Sequence, residues 1–179
     1  KMKKNFFIIL ILLLLLFIAI LFLFFKSKKN IKPNIKIPIL LYHDFTTTIP
    51  DTDSNNFQYI NTPESFEENI KVLLENEYTF LSFKDLNNAY NEKIKLPKKP
   101  ILITFDDGYI SNYQYIYPIL KKYNIKAAIF VVTENINKEN FLTWEQCKIM
   151  KNSGLVEIFS HSKRHLFYNK LSVKTLLDD

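Results

Sequence analysis

The sequence Thr104-Phe105-Asp106-Asp107-Gly108-Tyr109 places two adjacent carboxylates directly after a short apolar run at residues 101–103. Such a run is typical of a buried strand. Carboxylates are costly to bury unless a cation or a hydrogen-bond donor pairs with them. Two of the chain's three histidines, His161 and His165, follow a second apolar run at residues 155–159. We therefore expect the carboxylates and the imidazoles to form one metal site with a base beside it.

Apolar runs alternate with helical patterns through most of the chain. Strands are predicted at residues 37–42, 78–81, 101–105, 127–132 and 155–159, and a loop at residues 45–61. A helix is predicted around residues 112–123, disturbed by Pro118, and other helices are predicted to begin at the capping residues Thr62, Ser82, Thr143 and Ser172. This alternation favours an α/β fold, a parallel sheet covered by helices.

The polar residues that could do chemistry fall at the carboxyl ends of the predicted strands, where active residues of such folds cluster. They are His43, the Asp106-Asp107 pair and His161. Each has a simpler interpretation. Asp-Asp-Gly alone is more often a turn, two histidines four residues apart are often surface residues, and His43 could be a buried, hydrogen-bonded histidine. An aspartate combined with His161 and His165 instead suits zinc or a similar divalent ion, with one position open for water.

Two of these segments, Thr104 to Tyr109 and His161-Ser162-Lys163-Arg164-His165, resemble the first two motifs of the polysaccharide deacetylases, carbohydrate esterase family 4 (the NodB homology domain). The segment Ile39-Leu40-Leu41-Tyr42-His43 resembles the branch that deacetylates poly-N-acetylglucosamine. The resemblance covers about residues 37–179. It implies a deformed (β/α) barrel and metal-dependent hydrolysis of the C–N amide bond of N-acetylglucosamine units in a glycan. Zinc is the expected ion.

The resemblance also implies a role for each site residue. Asp106 would be the catalytic base, and Asp107, His161 and His165 would bind the metal. The segment Leu41-Tyr42-His43 resembles the Leu-x-His motif of the family in a permuted position, which would make His43 the general acid.

Two further family motifs, an arginine motif that orients the base and a tyrosine segment that helps to hold the oxyanion, do not follow residue 165. The domain at residues 37–179 is therefore expected to be incomplete at its C-terminus. This observation motivates a second hypothesis, a membrane-anchored glycan-binding remnant without turnover. A third is a metal hydrolase that acts on another amide or ester.

The N-terminal part of the chain differs from the rest. Residues 1–5 form a basic flank, residues 6–25 are twenty residues without a charge, and residues 26–36 form a polar linker. An uncharged run of that length predicts a transmembrane signal anchor. We expect a single-pass protein of the cell membrane with its domain outside, although lysines on both sides of the run leave the orientation open by charge alone.

The charge of the chain argues against a nucleic-acid partner. The net charge is +6, but eight of the 24 basic residues lie in residues 1–36, where there is no acidic residue. The remainder carries 16 basic and 18 acidic residues, a net charge of −2, so no basic binding face is expected. The single cysteine, Cys147, excludes an internal disulfide and is predicted to be a small buried side chain.

Overall fold

The computed structural model describes residues 13–20, 36–48 and 60–179. The chain divides into two compact units, Lys1–Lys36 and Ile37–Asp179. In the first unit, residues 13–20 form a helix, α1, with exposed side chains. Among the described residues, no helix has the length and apolar character needed to cross a bilayer. The predicted anchor at residues 6–25 lies outside the described residues except for α1, as do the flank at 1–5 and most of the linker at 26–36.

The second unit contains a five-stranded parallel sheet and a separate two-stranded sheet. Its strands are β1 (Ile39–Tyr42), β2 (Asp44–Phe45), β3 (Ile60–Asn61), β4 (Thr79–Phe80), β5 (Pro100–Phe105), β6 (Ala127–Val131) and β7 (Val156–Ser160). The main sheet has the order β1-β5-β6-β7, and β4 pairs with the first residues of β5. All of these pairs are parallel, which confirms the predicted α/β class.

The helices of the second unit are α2 (Pro63–Glu75), α3 (Phe83–Tyr90), α4 (Tyr117–Tyr123), α5 (Trp144–Asn152) and α6 (Val173–Leu177). The predicted caps are confirmed: Thr62, Ser82, Thr143 and Ser172 each accept a hydrogen bond from a backbone N–H in the first turn. The predicted disturbance at Pro118 is a π-helical turn, Asn112–Ile116, which passes into α4 with the proline in its first turn.

The hydrophobic core lies between the sheet and the helices. Every residue of β5 is buried, and alternate β5 side chains, such as Ile103 and Phe105, pack with Phe66 of α2, Leu120 of α4 and Met150 of α5. Cys147 is buried in the same core, as predicted. Because β5 lies between β1 and β6, its carboxyl end is paired on both sides.

The small second sheet was not predicted. At the two ends of the predicted loop 45–61, β2 and β3 pair in parallel through two residues each, Asp44 with Ile60 and Phe45 with Asn61. Two-residue strands are too short to give an alternating pattern. Residues 49–59 of that loop lie outside the described residues.

Candidate active site

The Asp106-Asp107 pair leaves β5 at a sharp turn. The N–H of Asp106 donates to the carbonyl of Tyr42 (3.0 Å), which extends the pairing of β5 with β1 by one residue. Asp107 and Gly108 then take left-handed backbone conformations, with φ of 69° and 78°. A Cβ atom on residue 108 would lie 2.9 Å from Cγ1 of Val131, so glycine is required there for space as well as for φ.

The two histidines lie in a turn that follows β7, which we call the histidine turn (residues 161–165). The N–H of His161 donates to the carbonyl of Val131 (2.8 Å) and continues the β6–β7 pairing. Ser162 and His165 both have left-handed φ, 67° and 57°. The Ser162 Oγ accepts a hydrogen bond from the His165 N–H (2.9 Å). The turn brings the two imidazole rings to 4.9 Å between centroids.

Asp107, His161 and His165 converge on one point. Nε2 of His161 lies 3.7 Å from Oδ1 of Asp107, and Nε2 of His165 lies 3.6 Å from the same oxygen. One ligand atom from each of the three residues lies within 4.8 Å of the others. Two imidazole nitrogens and a carboxylate oxygen are a donor set that zinc accepts, with a fourth position left for water or substrate.

The Asp107 carboxylate itself provides a test of fit. Among the described residues, its Oδ1 is one of three buried side-chain atoms that have no hydrogen-bond partner. A buried carboxylate oxygen without a partner carries a desolvation cost that a cation at that position would remove. The residues present therefore fit a divalent ion, and the oxygen that faces both histidines is the one that lacks a donor.

The Asp106 carboxylate lies beside this cluster rather than in it. Its Oδ2 is 3.8 Å from Nε2 of His161, and its side chain is 18% exposed. Burial raises the pKa of the Asp106 carboxyl above its usual range. The imidazoles of His161 and His43 oppose that rise, and the Asp107 charge adds to it. A partly buried carboxylate beside a metal site can accept a proton from a water molecule.

His43 follows β1 and is half-buried. Tyr42 pairs with Phe105 and accepts a hydrogen bond from the Asp106 N–H, so His43 lies at the same edge of the sheet as Asp106. The structure thus brings all five predicted site residues to the carboxyl ends of β1, β5 and β7. The roles assigned to them individually stay predictions.

Two neighbours of the site were not predicted. Asp44 accepts hydrogen bonds from the Ser111 hydroxyl (2.6 Å) and from the N–H of Phe45 (2.8 Å), which ties β2 to the segment after the Asp-Asp pair. Tyr109 stacks on Phe141, with 5.2 Å between ring centroids, and burial, then Asp107 and then Asp44, raises its pKa. The position of Asp44 directly after His43 is the sequence feature that could have predicted its place near the site.

Comparison with known proteins agrees with this geometry. Residues 93–179 match the family model described as polysaccharide deacetylase. A Bacillus subtilis (strain 168) protein, YxkH, whose name assigns it to the polysaccharide deacetylases, is 40% identical over 144 residues, which are 80% of this chain and 48% of that protein. A poly-beta-1,6-N-acetyl-D-glucosamine N-deacetylase of Staphylococcus aureus (strain MSSA476) is 36% identical over 109 residues, 58% of this chain and 37% of that protein.

A solved structure is similar as well. The deacetylase PplD of Streptococcus pyogenes, solved in complex with acetate, has a TM-score of 0.69 and 32% sequence identity over 79% of this chain and 62% of that one. The chain spans less than half the length of the two curated relatives above. The fold, the two carboxylate and histidine segments and these similarities agree, and residues 93–179 are a segment of the polysaccharide deacetylase type.

Proposed function

We propose that this protein removes acetyl groups from an N-acetylated glycan by metal-dependent hydrolysis of the C–N amide bond of N-acetylglucosamine units. The observation that carries the proposal is the convergence of Asp107, His161 and His165 within 4.8 Å, with the Asp106 carboxylate 3.8 Å from His161. The names of the relatives, which include a poly-beta-1,6-N-acetyl-D-glucosamine N-deacetylase, favour a glycan as the substrate.

The metal proposed for this site is zinc, held by Asp107, His161 and His165. Once bound, a zinc ion supplies Lewis-acid polarisation of the acetyl carbonyl and lowers the pKa of a coordinated water. The three side chains can reach one ion without rearrangement of the backbone, because their ligand atoms already face one another.

The remaining site residues handle protons. Asp106 accepts the proton of the attacking water, since its carboxylate adjoins the metal ligands and is not itself one of the three. His43, at the end of β1, donates a proton to the glucosamine nitrogen as the C–N bond breaks. The products are acetate and a glycan with a free amine. The end of β5 thus supplies the base, and the end of β1 supplies the acid.

The residues 37–179 are proposed to form part of a deformed (β/α) barrel. The main sheet of the described residues runs from β1 to β7 without closing. The match with the solved relative PplD covers 62% of the PplD chain. This leaves room in the family fold for strands beyond those described here, between the free edges of β7 and β1.

The substrate class can be tested by acetate release from a panel of compounds. The panel contains oligomers of β-1,6-linked N-acetylglucosamine, chitin oligomers, peptidoglycan fragments and 4-nitrophenyl acetate. We expect zinc-dependent acetate release from at least one glycan. Sugar binding without acetate release would support the glycan-binding remnant instead. Release from the ester alone would point to a hydrolase of another class, and either result would overturn the proposed function.

We also propose that the domain acts at the cell surface, attached to the membrane through residues 6–25. The support is the twenty-residue uncharged run between lysine-rich flanks. Fractionation of cells that express the full chain, compared with a variant that begins at residue 37, tests the attachment. Protease added to intact cells tests on which side of the membrane the domain lies. Recovery of both proteins in the same soluble fraction would contradict the proposal.

A further inference from the structure

The histidine turn supplies two of the three proposed metal ligands but has no regular secondary structure. Two of its five residues, Ser162 and His165, have left-handed φ. Each such residue costs on the order of 1–3 kcal/mol and persists only where its surroundings hold it. Contacts with neighbouring segments must therefore hold this turn in the conformation that directs both imidazoles to one point.

One set of contacts comes from the segment after β6. The N–H groups of Thr133 and Glu134 donate to the carbonyls of Ser162 (3.2 Å) and Lys163 (3.0 Å). These bonds hold the first half of the turn against the sheet. They engage the carbonyls of the turn and leave the N–H groups of Lys163 and Arg164 to another partner.

The second set of contacts comes from Asp179, which follows α6. The Asp179 Oδ1 accepts hydrogen bonds from the backbone N–H of Arg164 (2.9 Å) and from its Nε (3.0 Å). The Oδ2 accepts a hydrogen bond from the Tyr168 hydroxyl (2.8 Å). The N–H of Lys163 donates to the Asp179 carbonyl (3.2 Å). The turn is thus bonded to this one residue at two successive N–H groups.

The Asp179 side chain is covered by these contacts although the residue as a whole is only partly buried. Its side chain is 0% exposed, whereas that of Arg164 is 32% exposed. A carboxylate covered to this extent is stable only when charged and polar donors satisfy it, and the guanidinium, the amide and the phenol do so here. The guanidinium also reaches the carbonyl of Thr175 in α6 (3.4 Å), which attaches the turn to the helix that precedes Asp179.

From these contacts we infer that Asp179 is a positioning residue for the metal centre: it fixes the backbone of residues 163–164 and so sets the separation of His161 and His165. The inference rests on the proposed metal-dependent function. The contacts of Asp179 described above are with Lys163, Arg164 and Tyr168, none of which is a proposed ligand, so we expect it to act through the geometry of the turn. Outer-shell groups of this kind typically change metal affinity by about 10- to 100-fold.

The test is the zinc affinity of Asp179→Ala in the full chain, measured by competition with a chromogenic chelator. The thermal unfolding of the metal-free proteins is measured alongside. Asp178→Ala is the matched control, because Asp178 is adjacent, equally charged and exposed. We expect the zinc dissociation constant of Asp179→Ala to rise about tenfold or more and that of Asp178→Ala to stay at the value of the unsubstituted protein.

A second variant covers the case in which Asp179→Ala does not fold. Tyr168→Phe removes one hydrogen bond to Asp179 on an exposed side chain, and we expect a rise of about threefold in the dissociation constant. An unchanged zinc affinity in the folded variants, even with a lower unfolding temperature, would show that Asp179 is only structural and would overturn the inference. Failure of the unsubstituted protein to bind zinc would overturn the proposed function, and this inference with it.

Discussion

Asp106 and Asp107 are neighbours in the chain, yet their surroundings separate them. Asp107 has a left-handed backbone and directs a buried, partnerless oxygen at two imidazoles. The N–H of Asp106 still donates a hydrogen bond to Tyr42 in the sheet, and its carboxylate lies to one side of the cluster. This change of backbone conformation between the two residues would allow the proposed roles, in which one carboxylate binds a metal while the other stays available as a base.

The first prediction distinguishes these two carboxylates. Asp107→Asn should raise the zinc dissociation constant by about 100-fold or more, since a ligand is lost and not merely an outer-shell partner. Asparagine tolerates a left-handed φ, so the backbone need not change. Asp106→Asn is the control and should leave zinc affinity close to that of the unsubstituted protein. Equal losses of affinity in the two variants would contradict the assignment.

The second prediction concerns His43. If it protonates the leaving amine, His43→Gln should lower kcat on an N-acetylated glycan by about 10²- to 10⁴-fold. The loss should be much smaller on 4-nitrophenyl acetate, whose leaving group needs no proton. Zinc affinity should not change. Similar losses on both substrates would show that His43 is not the general acid.

At the scale of elements, Gly108 decides how closely β5 and β6 can approach behind the site. Gly108→Ala places an alanine in the left-handed conformation, which costs about 1–2 kcal/mol. The added Cβ would also clash with Cγ1 of Val131 at 2.9 Å. We expect a total loss of about 2–4 kcal/mol in the free energy of unfolding.

The matched control for this third prediction is Gly154→Ala. Gly154 has nearly the same φ, 76°, but nothing lies within 4 Å of an added Cβ. We expect only the conformational cost, about 1–2 kcal/mol. Urea unfolding of the two variants measures the difference. Equal losses would mean that the contact with Val131 does not matter.

The helices were predicted more completely than the small strands, for a physical reason. A cap such as Thr143 or Ser82 bonds to a residue three positions away, so its signal is local in the sequence. The contact of Asp44 with Ser111 spans 67 positions and that of Arg164 with Asp179 spans 15. Nothing local marks these pairs, so the contacts around the site were not predicted, whereas its five candidate residues were proposed from the sequence.

At the scale of the whole molecule, metal binding and folding should be coupled. The proposed ligands come from the ends of β5 and β7, which the unfolded chain does not hold together. Zinc at 100 times its dissociation constant should therefore raise the free energy of unfolding by about 2.7 kcal/mol. The fourth prediction is that Asp107→Asn loses this increase. An equal increase in both proteins would indicate that zinc binds elsewhere.

The class of the fold could be predicted from alternation of apolar runs and helical patterns, and the structure confirms a parallel sheet. The order of the strands could not be predicted, because β1 pairs with β5 across more than fifty intervening residues. The edge at which the site forms follows from this order, since β1, β5 and β7 all end there. Pairing between strands distant in the sequence therefore decides whether His43 can meet Asp106.

The central claim is that this protein hydrolyses N-acetyl groups with a metal held by Asp107, His161 and His165. The most direct measurement is acetate release from N-acetylglucosamine oligomers by one preparation in three states: as purified, after chelator, and after zinc is restored. Asp106→Asn is assayed beside it at full zinc occupancy. The account predicts activity that is lost with chelator, regained with zinc and reduced about 10²- to 10⁴-fold by the substitution. Acetate release that survives both the chelator and Asp106→Asn would contradict it.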